Sequence, residues 1–411
     1  MPLSLTAYRA ASQLIAPLLP RYLARRAANG KELPDRLSER FGQASAARPA
    51  HKLIWVHAAS MGETMSCLTL INLLTQRPDI TILLTTGTLT SASLAAARAQ
   101  ALHQFVPLDT PAATNRFLNH WHPDLAIFIE SEIWPNLLAG LDRRAIPRLL
   151  LNARLSPRSA RRWQRAPKAA RVLFGGFAWI AAQSAHDAEA LRSLGITAVE
   201  SWGNLKFSAP ALPDHQAERT ALAGLSPNWF LAASTHEGEE AIIIAAHRAM
   251  LGRFPDLITV IVPRHPERAS AIITLAGSLP IARRSAAQRP EPGGVYLADT
   301  LGELGLFYRL CPIALIGGSL APIGGHNMIE AAQLGCAILI GPHMENFIEI
   351  TTALRAAGAV QDVTETTLIP TLDQLLTNPD QRRAIGQAGQ AACAQLADLP
   401  ARLAARIEAM L

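Results

Sequence analysis

Residues 317–346 read GGSLAPIGGHNMIEAAQLGCAILIGPHMEN. An apolar run at 313–316 leads into them, two glycines break it, and a loop rich in proline and glycine follows. A helical pattern begins near Met328, stops at Gly335 and gives way to a second apolar run at 337–340. Strand, glycine loop, helix and strand in that order is the unit from which parallel α/β sheets are built. Such a loop lets backbone N–H groups approach an anion, and the helix behind it turns its positive end the same way. Glycine alone says little, because any tight turn needs it. The polar residues crowded into this loop, Ser319, His326, Asn327 and Glu330, are more than a connection requires and mark a ligand site.

Working outward, the same alternation fills the chain. Apolar runs at 53–56, 80–84, 105–106, 125–129, 148–151 and 179–182 are separated by helix-like segments such as 65–74 and 91–99. Residues 208–214 carry two prolines and little periodicity, and read as a linker. Alternation then restarts at 229–233, 257–262, 295–297, 313–316 and 337–340. Short apolar runs bounded by turn residues suit strands buried on both faces of a parallel sheet. The expected fold class is α/β, with two Rossmann-like doubly wound parallel-sheet domains facing across a cleft. The expected divisions are a basic apolar segment at 1–31, a first α/β domain at 32–207 and a second at 208–378. Ala-rich amphipathic helices at 379–411 are candidates for packing back on the first domain. Ligands of such sheets bind outside the carboxyl ends of the strands, so the loops that follow strands should carry the chemistry.

Composition narrows the function classes. A length of 411 residues suits two domains. With 49% hydrophobic and 17% charged residues, disorder is excluded. A net charge of +6 suits an acidic partner such as anionic lipid or a phosphorylated substrate. The four cysteines form no CxxC pair and read as reduced core residues. The twelve histidines show no metal-ligand spacing, so no metal is expected. Residues 1–31 hold five cations and no acid, and Arg9 and Pro17 interrupt their apolar stretch. That stretch falls short of the ~20 residues a spanning helix needs. A helix lying in an anionic membrane surface fits it, and a helix packed on the domain is the other reading.

Three post-strand loops of the first half stand out. His57-Ala-Ala-Ser-Met-Gly-Glu63 delivers one carboxylate to a helix start, where it is either a general base or an acid complementing the helix dipole, which would also keep it ionised. In Glu130-Ser-Glu-Ile-Trp-Pro-Asn136, Glu130 sits directly at a strand end and is the acid expected to face a ligand, with Trp134 expected to pack. Residues 152–171 contain seven cations and no acid, which is often only a solvated face but here follows a strand. In the second half, residues 234–239 offer hydroxyls at a helix start, and Arg264 in PRHPER (263–268) presents a fork suited to phosphate or carboxylate. Nucleic-acid binding would call for aromatics interleaved with the basic run, and only Trp163 is there.

Taken together, IWVHAASMGE, ESEIWPN, NARLS, GNLKF, PRHPER, DTLGEL and GGSLAPIGGHNMIEAAQLG…IGPHMENF resemble the 3-deoxy-D-manno-octulosonic acid (Kdo) transferases, in order and spacing, over nearly the whole chain. The resemblance implies a GT-B type, inverting glycosyltransferase. Its donor would be CMP-Kdo, and its acceptor lipid IVA, the bisphosphorylated lipid A precursor of lipopolysaccharide. It implies catalytic roles for Glu63 as base and for Glu130. It assigns CMP binding to Arg264, His265, Leu301, Gly302, Glu303, Asn327, Met328, Ile329 and Glu330. It implies attachment to the cytoplasmic face of the inner membrane, no metal or other cofactor, and no nucleic-acid partner. Gly318 and Ser319 are candidates for the donor phosphate or carboxylate, or only shape the turn. Arg154, Arg158 and Arg161 are candidates for an acceptor phosphate. A sugar-nucleotide epimerase or another glycosyltransferase on the same fold is the alternative.

Overall fold

A computed structural model of the protein describes residues 2–411. The chain forms two compact units, one running through Pro210 and regaining Leu396–Leu411, the other Ala211–Gln395.

The first unit is built on seven strands: β1 (Lys52–His57), β2 (Ile80–Thr86), β3 (Leu102–Phe105), β4 (Leu125–Ile129), β5 (Arg148–Ala153), β6 (Trp179–Ala182) and β7 (Val199–Ser201). They lie in the order β3-β2-β1-β4-β5-β6-β7, and every pairing is parallel. Side chains alternate between the two faces as the pleat requires. Leu53 and Trp55 of β1 join one apolar core with Phe128 of β4, while Ile54 and Val56 join the other with Ile127 and Ile129. Both faces are covered, which is why these strands read as unbroken apolar runs.

The second unit repeats the plan with β8 (Trp229–Thr235), β9 (Ile258–Pro263), β10 (Ile281–Arg283), β11 (Val295–Leu297), β12 (Ile313–Ile316), β13 (Ala337–Ile340) and β14 (Val360–Asp362). The order is β10-β11-β9-β8-β12-β13-β14, again with every pairing parallel. The strands that the apolar pattern misses, β7, β10 and β14, are three residues each and lie at sheet edges. An edge strand has one neighbour and a solvated side, so it carries little of the apolar signal.

The last two helices divide between the units. Pro379–Ala394 stays with the second unit. Its Gly386 passes so close to the Gly335 backbone that a Cβ there would lie 2.1 Å from the Gly335 oxygen. Leu399–Glu408 returns to the first unit, where Leu399, Leu403 and Ile407 join the Ile54/Val56 core. The N-terminal segment forms helices Leu3–Ile15 and Leu19–Ala28. Leu5 and Leu23 are buried, and the Tyr8 hydroxyl donates to Asp109 at 3.0 Å. Leu3, Leu14, Ile15, Leu18 and Tyr22 stay exposed. No helix among the described residues is long and apolar enough to cross a membrane. All four cysteines are buried and unpaired.

Candidate functional site

In each sheet the strand order reverses at one point, β1/β4 in the first and β8/β12 in the second. Ligands of doubly wound sheets bind outside the carboxyl ends of the strands at such a point. The residues gathered there are chemically dense in both units.

In the first unit the helix Met61–Leu74 starts two residues ahead of Glu63, with Ser60 as its cap. The Ser60 hydroxyl accepts the Glu63 N–H at 3.3 Å and donates back to Glu63 Oε1 at 2.9 Å, while the Ala59 N–H donates to Oε2 at 2.8 Å. Ser60 thus caps the helix, and the Ala59 and Ser60 donors together fix the carboxylate in one orientation. Glu63 is only 9% exposed. Its pKa is pushed up to about 7, by burial first and then by repulsion from Glu132 and Glu130, against the Ala59 and Ser60 hydrogen bonds. The helix start was expected to keep Glu63 ionised. Burial beside two like charges outweighs it.

Glu130 directly follows β4 and has a φ of +61°, a left-handed conformation that is uncommon for a non-glycine residue. Its Oε1 lies 2.6 Å from Lys206 Nζ. Lys206 is brought there by two asparagines. Asn152, itself at φ +54° beside a bulge at the end of β5, accepts the Leu205 N–H at 2.9 Å. Asn204 accepts the Lys206 N–H at 3.0 Å. These contacts give the NARLS and GNLKF motifs a shared purpose, which reading them singly does not reveal. Glu132 accepts from the Trp134 indole N–H at 2.7 Å and lies 3.4 Å from His57 Nε2. His57 is wholly buried, with Nδ1 2.9 Å from the Thr85 hydroxyl. Burial pushes the Glu132 pKa up, but its bonds to His57 and Trp134 outweigh this and leave it lowered. Sequence reasoning missed Glu132, His57 and Lys206 as site residues. The signal available for Glu132 was its place two residues beyond a strand-end carboxylate.

The basic run divides. Arg154 lines a cavity of about 360 Å³ together with Arg162. Arg158 and Arg161 are exposed and do not line it. The expected trio of phosphate ligands is therefore not one cluster around that cavity, because the turn of the helix Pro157–Gln164 presents Arg162 there instead.

In the second unit the glycine loop departs from the expected role. The Glu239 carboxylate is buried and accepts four main-chain N–H groups: His236 at 2.9 Å, Gly318 at 2.7 Å, Leu320 at 2.9 Å and Ala321 at 3.2 Å. The nest that looked ready for a ligand anion already holds one from the chain itself. Ser319 is fully buried, donating to the Ile316 carbonyl and accepting the Gly341 N–H at 2.8 Å. A Cβ on Gly317 would lie 2.2 Å from the Ser234 carbonyl oxygen. Gly318 and Ser319 thus hold the loop's shape rather than a donor phosphate or carboxylate. Thr235 is engaged likewise, its hydroxyl donating to Glu240 at 3.2 Å.

What remains for an anion is a cluster of side chains on adjacent strand ends. His236 follows β8 and His326 follows β12, with rings parallel, centroids 5.1 Å apart and Nε2 atoms 2.8 Å apart. His265, after β9, meets His236 edge-on at 5.8 Å. Arg264 is exposed, its main-chain N–H bound to the Thr235 carbonyl at 3.0 Å, and its guanidinium makes no hydrogen bond among the described residues. The His326 pKa is pushed down to about 4, first by burial and then by His236 and Arg264, with Glu239 opposing. The His236–His326 pairing was not foreseen, since the two residues are 90 apart in sequence.

The three segments expected to hold CMP leave neighbouring strands: 264–265 after β9, 301–303 after β11 and 327–330 after β12, in a row with β8. Leu301 is 76% exposed, and Gly302 has φ +86° with open space around it. Glu303 is held by Arg284 at 2.6 Å and by Thr300, so its side chain braces the loop. Asn327 accepts the Ile329 N–H at 3.2 Å. Met328 and Ile329 are buried, leaving only their main chain for a ligand. The Glu330 pKa is raised by burial, against a hydrogen bond from Asn327. Among the described residues, no group of three or more His, Cys, Asp or Glu is placed to hold a metal ion.

Comparison with known proteins bears on what this arrangement does. Residues 35–209 match the family model described as 3-deoxy-D-manno-octulosonic-acid transferase (kdotransferase). The chain is 36% identical over 409 residues to a 3-deoxy-D-manno-octulosonic acid transferase of Bordetella pertussis, covering 93% of this chain and 94% of that one. It is 36% identical over 370 residues to the enzyme of the same description from Haemophilus influenzae, covering 86% of each. Among solved structures it is similar to a putative UDP-N-acetylglucosamine 2-epimerase from Listeria monocytogenes, with a TM-score of 0.63 and 14% identity over 88% of this chain and 97% of that one. At that identity the likeness speaks for the fold alone, a GT-B type fold with two Rossmann-like units.

Proposed function

The chain belongs to the 3-deoxy-D-manno-octulosonic-acid (Kdo) transferase family, and on that premise we propose how its residues carry out Kdo transfer in lipopolysaccharide biosynthesis. The donor is CMP-Kdo, held by the second unit, and the acceptor is a hydroxyl of lipid IVA. Glu63 takes the proton of that hydroxyl as its oxygen attacks the anomeric carbon. The bond from that carbon to the phosphate oxygen breaks, CMP leaves with the electron pair, and the anomeric configuration inverts. Glu130 and Glu132 surround the base with negative charge, and Lys206 balances Glu130 at 2.6 Å. Arg264 and His265 offset the charge of the leaving phosphate. Main-chain groups of Leu301, Gly302, Met328 and Ile329 hold the nucleotide, with Asn327, Glu330 and the Glu303-braced loop around it.

The observation that carries this reading is Glu63 itself: a carboxylate buried at the strand-order reversal, oriented by two hydrogen bonds, with a pKa of about 7. A base works best when its pKa lies near the working pH. Exposed Leu3, Leu14, Ile15, Leu18 and Tyr22, interleaved with Arg9, Arg21 and Arg25, support attachment to the cytoplasmic surface of the inner membrane. Incubating the protein with lipid IVA and a CMP-Kdo generating system, with mass spectrometry of the lipid, tests donor and acceptor together. Kdo-bearing lipid is the expected product, and release of an altered nucleotide sugar with unmodified lipid would overturn the assignment.

A further inference from the structure

We propose that the helix Leu3–Ile15 is a positioning element of the site as well as an attachment: Tyr8 and Ser12 hold a buried Asp109–Asn136 joint from which the Glu130–Glu132 loop hangs. A lipid surface bound by that helix then sets where an acceptor hydroxyl meets Glu63; this rests on the transfer and membrane-surface readings above. Asp109, in the loop after β3, is buried, and so is Asn136 at the start of the helix Pro135–Asp142. That helix has no side-chain cap of its own. Asp109 supplies one from another strand end, accepting the Asn136 N–H at 3.1 Å and the Leu137 N–H at 2.9 Å. The Asn136 side-chain amide donates to the Asp109 carbonyl at 2.6 Å and to the Ser12 hydroxyl at 3.0 Å. The Tyr8 hydroxyl closes the joint, donating to the Asp109 carboxylate at 3.0 Å. Leu5, Tyr8 and Ser12 follow helical spacing and share one face, and Leu5 joins the apolar core that holds Leu137 and Leu138. Leu3 and Leu14, on the opposite side, are 90% and 80% exposed.

The joint leads directly to the carboxylates. Trp134 precedes Pro135, and its indole N–H donates to Glu132 at 2.7 Å, with Glu132 3.4 Å from His57 Nε2. A shift at Asn136 therefore carries Trp134 and Glu132 with it. The surface side is basic. Burial, and then the neighbouring Arg9 and Arg144 guanidinium groups, hold the Arg143 pKa below its usual value, with Asp142 opposing. These like charges gather where the helices Leu3–Ile15 and Pro135–Asp142 meet, and anionic headgroups relieve their repulsion. An anchor alone raises the local concentration of enzyme at its lipid and needs no rigid joint. A polar joint that ties the anchor to the loop also fixes orientation, which is a large part of a reaction rate. The acyl chains of the acceptor hold its sugar at a set depth, so the geometry of the encounter follows from the helix.

The test uses the full chain, phosphatidylglycerol vesicles with and without lipid IVA, and the variant Tyr8→Phe/Ser12→Ala. The variant keeps the exposed apolar face, the Asp109 cap and the whole second unit. In the wild type, vesicles without acceptor slow hydrogen exchange of the 131–138 amides. In the variant that slowing is lost while vesicle binding, read by sedimentation, is unchanged. Its kcat for lipid IVA in vesicles falls about tenfold, as expected for loss of two hydrogen bonds, one of them to a carboxylate, and its KM for CMP-Kdo stays that of the wild type. Restoring one hydroxyl with Tyr8→Phe/Ser12→Thr recovers part of both effects. Transfer by the variant at the wild-type rate would overturn the proposal, as would exchange in the wild type that vesicles leave unmoved. Loss of vesicle binding together with activity would reduce the helix to an anchor and overturn it too. Exchange is read without transfer, so the coupling stands or falls separately from the Kdo-transfer reading.

Discussion

The Glu239 carboxylate accepts the Gly318 N–H at 2.7 Å, closing a loop 79 residues away in sequence. The same carboxylate holds the His236, Leu320 and Ala321 amides, so one side chain joins the ends of β8 and β12. Removing it leaves four buried or half-buried donors without an acceptor. Glu239→Ala is expected to destabilise the second unit by at least about 2 kcal/mol and to weaken CMP binding, because His326 and Asn327 ride on the loop it holds. Urea unfolding and calorimetric titration with CMP check both. Wild-type stability in this variant would show that water replaces the carboxylate without cost.

Glu130 and Lys206 should act as a unit. Each of Glu130→Gln and Lys206→Met lowers kcat/KM, and the double variant loses less than the sum of the two. For a half-buried pair with side-chain exposures of 25% and 15%, a coupling of about 1 kcal/mol is expected. Strictly additive losses would separate the two residues.

The pH profile follows from Glu63. With a pKa of about 7, the base is protonated in acid, so log kcat/KM should fall with unit slope below about pH 7. Glu132→Gln removes one of the repelling charges and moves that limb to lower pH; an unmoved limb would remove Glu132 from the account. Stability runs the other way. The folded pKa lies above the usual carboxylate value of 4.5, so between those values the folded state binds more protons than the unfolded one. Glu63 therefore costs the fold stability as pH rises from 4.5 to 7, on the order of 3 kcal/mol in full. Glu63→Gln should accordingly be more stable than wild type at pH 8 in denaturant titrations, with the difference shrinking toward pH 5.

The central strands were legible because both faces of each sheet are covered, so Leu125–Ile129 and Ala337–Ile340 are apolar throughout. The placement of Glu63 and Glu130 just beyond strand ends was legible for a related reason, since the ends of such apolar runs are easily read. The loop at 317–319 misled because glycine serves two ends, and here Gly317 admits a close backbone approach while Gly318 gives its amide to Glu239. Glu239 itself was hidden, since an acid in a first helical turn reads as complementing the dipole, and the amides it serves lie far along the chain. His57 read as the opening residue of the loop after the first strand, with no role of its own. Its contacts come from Thr85 on β2 and from Glu132 in the loop after β4, and appear only once the sheet is assembled.

Transfer should survive chelation. In the proposed mechanism Arg264 and His265 offset the charge of the leaving phosphate, so activity in EDTA is expected to match that in added Mg²⁺ within about twofold. Strict dependence on a divalent cation would mean that charge neutralisation has been misplaced.

The most direct measurement is a paired one on Glu63→Gln: the transfer rate to lipid IVA and the CMP affinity by calorimetry. Glutamine keeps the shape and an oxygen for the Ala59 N–H but cannot take a proton. The rate is expected to fall about 10²- to 10⁴-fold with CMP affinity within about twofold of wild type. A variant that transfers Kdo at the wild-type rate, or that loses CMP binding along with activity, would contradict the assignment of Glu63 as the base.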